Sequence, residues 1–319
     1  MLLKPLSEGR ETFAHQSPGV LGGRVSTIVV VRLHLLDATY ELFRAYFGFP
    51  NRTDGSGREI GAVYGIIETT LSLLREPGVT HLAAATDQVI RSFRNDLFPG
   101  YKTEEGVDRQ LLDQFPLAER ALEALGVVTW KMVEFEADDA MATAALRFCD
   151  EVEQVVICSP DKDLAQCVID ERVVTFNRRE GTILDEAGVI AKFGVPPQAI
   201  PDYLALVGDS ADGVPGLPGW GAKSTAALLA RYGRLDLIPD DAAWWDVKVR
   251  SADKLAATLR RNRTEAHLYR TLTTLRRDVP LAESLADLEW QGAHRAPFDA
   301  LCDELGFPDM KLRPHRWHP

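Results

Sequence analysis

The chain has 319 residues, of which 45% are hydrophobic and 26% charged, and its formal net charge is −11. This length suffices for one large or two ordinary domains with a buried core, and the composition is that of a globular protein. The acidic balance argues against a simple basic nucleic-acid-binding protein, and no apolar run approaches the roughly 20 residues that a membrane-spanning helix needs.

The first segment, residues 1–25, mixes Gly, Ser, Pro and charged residues without any period and predicts a flexible tail. It lacks the basic-then-apolar order of a secretory signal, so we expect a cytoplasmic protein without membrane contact. Four cysteines have neither the paired spacing of a zinc site nor the density of a disulfide scaffold, which predicts reduced thiols.

Three β-branched apolar runs predict buried strands, each ending on an aspartate. These strands are expected at residues 26–37, 80–87 and 152–163. Helical patterns alternate with them at residues 60–76, 111–126 and 138–151. The alternation predicts an α/β fold with a parallel sheet and helices on its faces.

Acidic residues follow the predicted strands and open the third predicted helix. Because the carboxyl ends of parallel strands meet at one edge, we expect these side chains to converge there. They are Asp37, Asp87, Glu136, Asp138, Asp139, Asp161 and Asp163. Any one of them has an alternative role in starting a turn or capping a helix. Together they need cations to remain ionised, and all-oxygen ligands favour Mg²⁺ or Mn²⁺ over zinc.

A second acidic patch lies within residues 206–233, where Asp209 and Asp212 precede a Gly- and Pro-rich turn and an Ala/Leu helix. This pattern predicts helix, tight turn and helix. Backbone N–H groups from Gly221 to Ser224 would face a phosphate, with Lys223 beside it. A plain interhelical loop explains the turn equally well. The arginine-rich helical stretch at residues 255–277 also has two interpretations: a solvated face or a phosphate contact.

Five ordered motifs resemble those of the 5′ nuclease family, which comprises the flap endonucleases and the 5′ to 3′ exonuclease domain of bacterial DNA polymerase I. They read LLDATYELFRAYF, TDQVIRSFRNDLFPGYK, EFEADDA, SPDKDLAQ and GDSADGVPGLPGWGAKSTA. The resemblance covers about residues 27–290. It implies a PIN-like nuclease domain with a central, mostly parallel sheet and a helical arch at residues 26–195. A helix-three-turn-helix DNA-binding subdomain with C-terminal helices is expected at residues 196–319, in a stand-alone nuclease.

The resemblance also implies roles for individual residues. The metal ligands would be Asp37, Asp87, Glu136, Asp138, Asp139, Asp161, Asp163, Asp209 and Asp212. The catalytic residues would be Lys102, Arg94, Asp139 and Asp161. The two cations among them would lie at the base of the arch. DNA would contact Arg44, Gly219, Gly221, Lys223 and Ser224. As an alternative, Arg44 is an ordinary solvated surface cation.

The implied activity is structure-specific hydrolysis of DNA at 5′ flaps and 5′ ends, with RNA–DNA hybrids as a further substrate, in replication and repair. Two or more Mg²⁺ or Mn²⁺ ions would serve as cofactors, with K⁺ at the helix-three-turn-helix. Two departures from the family pattern stand out: a short, acidic arch segment at residues 103–110, and Gly213 where Asn is frequent. A DNA-junction binding protein without cleavage and a PIN-type ribonuclease remain alternative hypotheses.

Overall fold

The computed structural model describes residues 31–319. The predicted tail at residues 1–25 and the first residues of the predicted first strand lie outside the described residues. Within the described part of the chain, no helix has both the length and the apolar character required to cross a bilayer.

Six strands form one sheet in the order β3-β2-β1-β4-β5-β6, and all neighbouring pairs are parallel except β5 and β6. The strands are β1 Arg32–Asp37, β2 His81–Asp87, β3 Val128–Met132, β4 Gln154–Cys158, β5 Val173–Asn177 and β6 Thr182–Leu184. This confirms the predicted α/β class with a mostly parallel sheet. The strand order reverses direction between β1 and β4, and in such sheets ligands bind beyond the carboxyl ends at that point.

Twelve α-helices surround and extend the sheet in the described part of the chain. They are α1 Ala38–Gly48, α2 Gly61–Leu74, α3 Phe93–Leu97, α4 Arg109–Leu112, α5 Phe115–Ala124, α6 Ala137–Phe148, α7 Glu186–Phe193, α8 Ile200–Val207, α9 Ala222–Tyr232, α10 Ala252–Arg261, α11 Arg263–Thr273 and α12 Arg295–Leu305. The predicted helix at 111–126 is two helices, because Pro116 lies in the first turn of α5, a position that suits a residue without an N–H.

The predicted third strand is shorter than expected. It stops at Cys158, and a loop with Pro160 leads into a 3₁₀ turn at Asp163–Cys167. Proline has no N–H to donate to a sheet, so the strand cannot continue through this point. Only β1 and β2 therefore end on an aspartate, and Asp161 and Asp163 are carried by the loop and the turn.

The predicted helical arch is also different in the structure. Between α3 and α4, residues 98–108 form turns and irregular backbone, and α4 has only four residues. Gly106 has a φ of 84°, which does not continue an α-helix. The acidic segment at 103–110 thus begins as a loop, anchored where Tyr46 donates a 2.7 Å hydrogen bond to Asp108.

Alternating side chains of the sheet enter two separate cores. Leu36 of β1 packs with α1, α2, α5 and α12, whereas Leu33 and Leu35 pack with α6 on the other face. A third core joins α7 to α11 around residues such as Leu204 and Leu228. Helices α7 to α11 therefore form a packed unit, whereas α12 of the predicted C-terminal half packs against the sheet. The end of α11 lies beside Arg94, which donates to the carbonyl of Leu272.

Candidate active site

The ends of β1 and β2 place two carboxylates at the predicted edge. Asp37 caps α1, since its Oδ1 accepts the Tyr40 N–H at 2.8 Å, and its Oδ2 accepts the Ser159 hydroxyl at 2.7 Å. Asp87 Oδ1 accepts the Ala137 N–H at 2.7 Å. Each side chain is oriented by short hydrogen bonds, so capping and a functional role are compatible in the same residue.

Four of the predicted ligands are defined as the first carboxylate cluster, because their charges act on one another: Asp37, Asp87, Asp138 and Asp161. Burial raises the pKa of Asp138 well above its usual value, and the charges of Asp161, Asp37 and Asp87 raise it further. Burial also raises the pKa of Asp37 to about 7 and that of Asp87 to about 6. Burial is the main cause of these shifts and neighbouring carboxylate charges add to it, so a bound cation would lower the pKa values.

The remaining acids of the predicted set form a second carboxylate cluster, consisting of Asp163, Asp209 and Asp212. One oxygen of each lies within 4.8 Å of the other two, and all three side chains are buried. Oδ1 of Asp163 is buried and has no hydrogen-bond partner among residues 31–319. A buried carboxylate oxygen without a donor is costly, so it indicates a place for a cation.

The loop that carries Asp209 and Asp212 is closed by a pair of backbone hydrogen bonds between Asp209 and Val214, at 2.8 and 2.7 Å. Gly213 within it has a φ of 75°, and a Cβ there would lie 2.3 Å from the carbonyl oxygen of Gly100. The departure at this position therefore has a structural reason: the loop packs its backbone directly against the segment that precedes Lys102.

Two lysines form ion pairs with the second cluster. Lys102 Nζ lies 2.8 Å from Glu136 Oε2 and 3.0 Å from Asp212 Oδ1. Lys162 Nζ lies 2.7 Å from Asp209 Oδ1. The sequence analysis identified Lys102 but missed Lys162, although its position between Asp161 and Asp163 was a usable signal.

Glu136 belongs to the wall of the site. Its Oε1 accepts the Ser92 hydroxyl at 2.6 Å and Arg94 Nη1 at 3.1 Å, while Oε2 faces Lys102. Burial alone would raise the pKa of Glu136, but Lys102 and Arg94 lower it to about 2. Glu136 is thus held ionised by protein cations.

Arg94 and Asp139 are placed differently from the expectation. Arg94 is 0% exposed and donates two hydrogen bonds to Asp139, of 2.8 and 2.7 Å. Asp139 also accepts the N–H groups of Glu136 and Arg276. With four hydrogen bonds on two oxygens, Asp139 has no free position for a metal ion. We therefore revise the predicted catalytic roles of these two residues: they form a buried ion pair behind the clusters.

Arg44 is likewise occupied. Its Nε donates to Glu41 at 2.9 Å and its Nη2 donates to the Thr69 hydroxyl at 2.9 Å. Its side chain is 29% exposed, so it is neither the fully solvated cation of the alternative nor a free DNA contact. The structure does not bring it to the carboxylates.

The predicted phosphate-binding turn precedes α9. Gly219 has a φ of 83°, and Gly221 is the N-cap, without a side-chain hydrogen bond to the helix. Gly221 and Lys223 are exposed, while Ser224 is half-buried. The first N–H groups of a helix have no intrahelical partner, so this end of α9 offers donors to solvent or an anion.

The arginine-rich stretch at 255–277 is mostly neutralised within the protein. Arg263, Arg270 and Arg276 form ion pairs with aspartates, and Arg277 donates to the carbonyl of Gln166. Arg260 and Arg261 are exposed and have no ion pair within residues 31–319. Only these two therefore remain available as phosphate contacts on that surface.

Comparison with known proteins follows the two halves of the fold. Residues 32–194 match the family described as 5′-3′ exonuclease, N-terminal resolvase-like domain, and residues 195–296 match the 5′-3′ exonuclease, C-terminal SAM fold. The chain belongs to the 5′-3′ exonuclease family. A 5′-3′ exonuclease of Aquifex aeolicus is 34% identical over 207 residues, which is 65% of this chain and 71% of the relative.

Longer relatives cover more of the chain. DNA polymerase I of Bacillus caldotenax is 33% identical over 280 residues, or 86% of this chain and 31% of the polymerase. The chain therefore spans about a third of the length of the polymerases it matches. A solved structure of the T5 5′-exonuclease with bound zinc ions superposes with a TM-score of 0.61 at 19% identity, covering 76% of this chain and 89% of the other. At that identity the likeness shows a shared fold.

The residues present fit divalent metal ions. The second cluster brings three carboxylate oxygens within 4.8 Å of one another, which are the ligands that hard divalent cations prefer, and it includes the unpartnered oxygen of Asp163. Seven of the predicted metal ligands belong to the first or the second cluster. The other two, Glu136 and Asp139, are paired with protein cations.

Proposed function

We propose that this protein is a metal-dependent 5′-3′ exonuclease and flap endonuclease, which hydrolyses phosphodiester bonds of DNA with Mg²⁺ or Mn²⁺. The observation that carries the proposal is the second carboxylate cluster, whose oxygens lie within 4.8 Å of one another, with Lys102 between Glu136 and Asp212 beside it. Membership of the 5′-3′ exonuclease family supports it.

Bound divalent ions would supply a nucleophilic hydroxide at neutral pH and would stabilise charge on the phosphate. The first cluster would hold one ion and the second cluster another. The protein contributes orientation: Ser159 and the Tyr40 N–H fix Asp37, and the Ala137 N–H fixes Asp87. These hydrogen bonds hold the carboxylates in place before substrate arrives, which is the preorganisation that catalysis requires.

Lys102 is the cation best placed for the substrate. Its side chain is 24% exposed and lies at the rim of the site, whereas Arg94 is buried behind it. An ammonium at this position would stabilise negative charge on the scissile phosphate. We assign the catalytic role expected of Arg94 and Lys102 to Lys102 alone.

Duplex DNA would be held by the helical half. In this proposal, Gly219, Gly221, Lys223 and Ser224 contact a backbone phosphate at the start of α9, with K⁺ at the same turn. We also place the boundary between the two domains at 195/196. RNA–DNA hybrids are proposed as additional substrates, and the proposed role is in replication and repair in the cytoplasm. Exposed donors at the end of α9 support the phosphate contact.

The test is cleavage of a 5′-labelled flap duplex compared with matched single-stranded DNA and RNA, in Mg²⁺, Mn²⁺ or EDTA. Asp161→Asn removes a ligand charge while keeping an acceptor for the Asp163 N–H. Asp150→Asn is the control, since Asp150 is exposed and pairs only with Arg172.

Metal-dependent cutting near the flap junction, lost in Asp161→Asn and kept in Asp150→Asn, is the expected result. Tight flap binding without cutting in either metal would replace the proposal with a DNA-junction binding protein. Preferred cutting of single-stranded RNA would replace it with a PIN-type ribonuclease.

A further inference from the structure

Lys162 connects two parts of the active site. It lies on the loop after β4, and its Nζ reaches 2.7 Å from Oδ1 of Asp209, on the loop after α8. The Lys162 side chain is 36% exposed, whereas that of Asp209 is 2% exposed. A solvent-accessible cation is thus paired with a buried acid of the second carboxylate cluster.

The pairing of the second cluster is uneven. Asp209 is neutralised by Lys162 and Asp212 by Lys102, while Asp163 has a buried oxygen without a hydrogen-bond partner. A cation attracted by all three carboxylates is therefore drawn toward Asp163 and competes with Lys162 for Asp209. Lys162 is the partner that can leave more easily, since Lys102 holds Glu136 as well.

A cavity beside this loop gives the displaced ammonium a destination. It has a volume of about 220 Å³, and Lys162 forms part of its lining together with Asn177, Glu180 and Thr182. The amide, carboxylate and hydroxyl oxygens of these side chains are suitable acceptors for an ammonium group. Lys192 lines the same cavity and has no ion pair within residues 31–319, so it is the natural control.

We propose that Lys162 is a positioning residue that holds Asp209 in the second cluster until a divalent cation binds, and that its ammonium then moves into the adjoining cavity. This inference rests on the proposed metal-dependent function. Lys162 in this role is an internal counter-ion: it keeps buried carboxylates ordered in the metal-free protein and sets the metal concentration at which they are released.

The first test measures Mn²⁺ binding by calorimetry without DNA, for the wild-type protein and for Lys162→Met, Lys162→Arg and Lys192→Met. Lys162→Met removes the competitor, so we expect Mn²⁺ to bind about fivefold more tightly, equivalent to about 1 kcal/mol. Lys162→Arg keeps the charge and is expected to restore the wild-type affinity. Lys192→Met removes only a charge from the lining of the receiving cavity, so any tightening is expected to be well below that of Lys162→Met.

Unchanged affinity in Lys162→Met, or equal tightening in Lys192→Met, would overturn the proposal, because the second result would show a general charge effect. Absence of Mn²⁺ binding by the wild-type protein would instead overturn the proposed function itself. The two failures are therefore distinguishable.

A second test does not depend on a variant folding. In the wild-type protein, acylation of lysines by an amine-reactive ester is measured by mass spectrometry with and without Ca²⁺. Release from Asp209 is expected to raise the reactivity of Lys162 several-fold relative to Lys192. Equal reactivity of Lys162 in both conditions would contradict displacement.

Discussion

Arg94 and Asp139 form a buried pair joined by two hydrogen bonds, of 2.8 and 2.7 Å. The guanidinium also donates to the backbone carbonyls of Leu272 and Thr274, at the end of α11. The pair therefore ties α3, α6 and the helical half together behind the carboxylate clusters. One of the carboxylates that open α6, Asp139, is structural, while its neighbour Asp138 belongs to the first cluster.

Asp139→Asn is expected to destabilise the fold, because it removes the carboxylate that accepts two hydrogen bonds from the buried Arg94 and leaves only Glu136 to balance that charge. Breaking a buried ion pair from one side costs about 3 to 5 kcal/mol in the free energy of unfolding. Denaturant unfolding in EDTA measures this loss. Asp161→Asn is the matched comparison and is expected to unfold close to the wild type. Equal stability of the two variants would show that the pair is not structural.

Lys102→Met is expected to lower kcat for flap cleavage on the order of 10²-fold, the scale seen when a group that stabilises transition-state charge is removed. Because Lys102 contacts Glu136 and Asp212 at the rim of the site, KM for the flap duplex should change little. Single-turnover cleavage measures the effect. Lys311→Met, which loses only an exposed pair with Asp303, serves as the control. A kcat within the range of that control would remove Lys102 from the catalytic assignment.

Gly213→Ala tests the packing of the acidic loop against the segment before Lys102. The new Cβ would meet the Gly100 carbonyl oxygen at 2.3 Å, and the backbone φ of 75° adds strain. We expect a loss of about 2 to 3 kcal/mol, together with weaker Mn²⁺ binding. Gly181→Ala has a similar φ of 68° but nothing within 4 Å of the new Cβ, so its loss is expected to be about 1 kcal/mol. Equal losses in the two variants would contradict the close approach.

Local sequence patterns were sufficient for the parts of the fold that depend on local periodicity. The buried runs of β1 and β2 and the apolar face of α6 were located from spacing alone, and the convergence of Asp37 with Asp87 follows from parallel strand geometry. Three strands were missed: β3, β5 and β6. β5 has a buried β-branched run, VVT, that could have been recognised, whereas the other two have weaker patterns. β3 is half-buried along most of its length, and β6 has three residues, two of them exposed.

Which acids are structural and which belong to the carboxylate clusters could not be predicted in this way. Asp139 is separated by 45 residues from Arg94 and by 137 residues from the Arg276 N–H that it accepts. Such partners are set by tertiary packing and leave no local signal at EFEADD. Lys162 is the opposite case: its neighbours in sequence marked the site, but its contact with Asp209 required the fold.

The buried imidazole of His34 predicts a pH dependence of stability. Burial, with the charges of Arg32 and Arg178, lowers the pKa of His34 from 6.5 to about 4. His34 is therefore protonated near pH 6.5 in the unfolded chain but only near pH 4 in the native protein. Above pH 6.5 His34 is neutral in both states and has no effect on the pH dependence. As the pH falls from 6.5 toward 4, protonation of the unfolded chain lowers the free energy of unfolding by up to about 3 kcal/mol.

His34→Leu removes this titration, and it also removes a buried Nδ1 that has no hydrogen-bond partner. We expect the variant to lose less stability than the wild type between pH 7 and pH 5, as measured by denaturant unfolding in EDTA. Carboxylates titrate over part of this range in both proteins, so the difference between their slopes isolates the histidine. His318→Leu, a change at an exposed imidazole, is expected to keep the wild-type slope. Parallel stability curves for the wild type and His34→Leu would show that His34 is not held neutral by the fold.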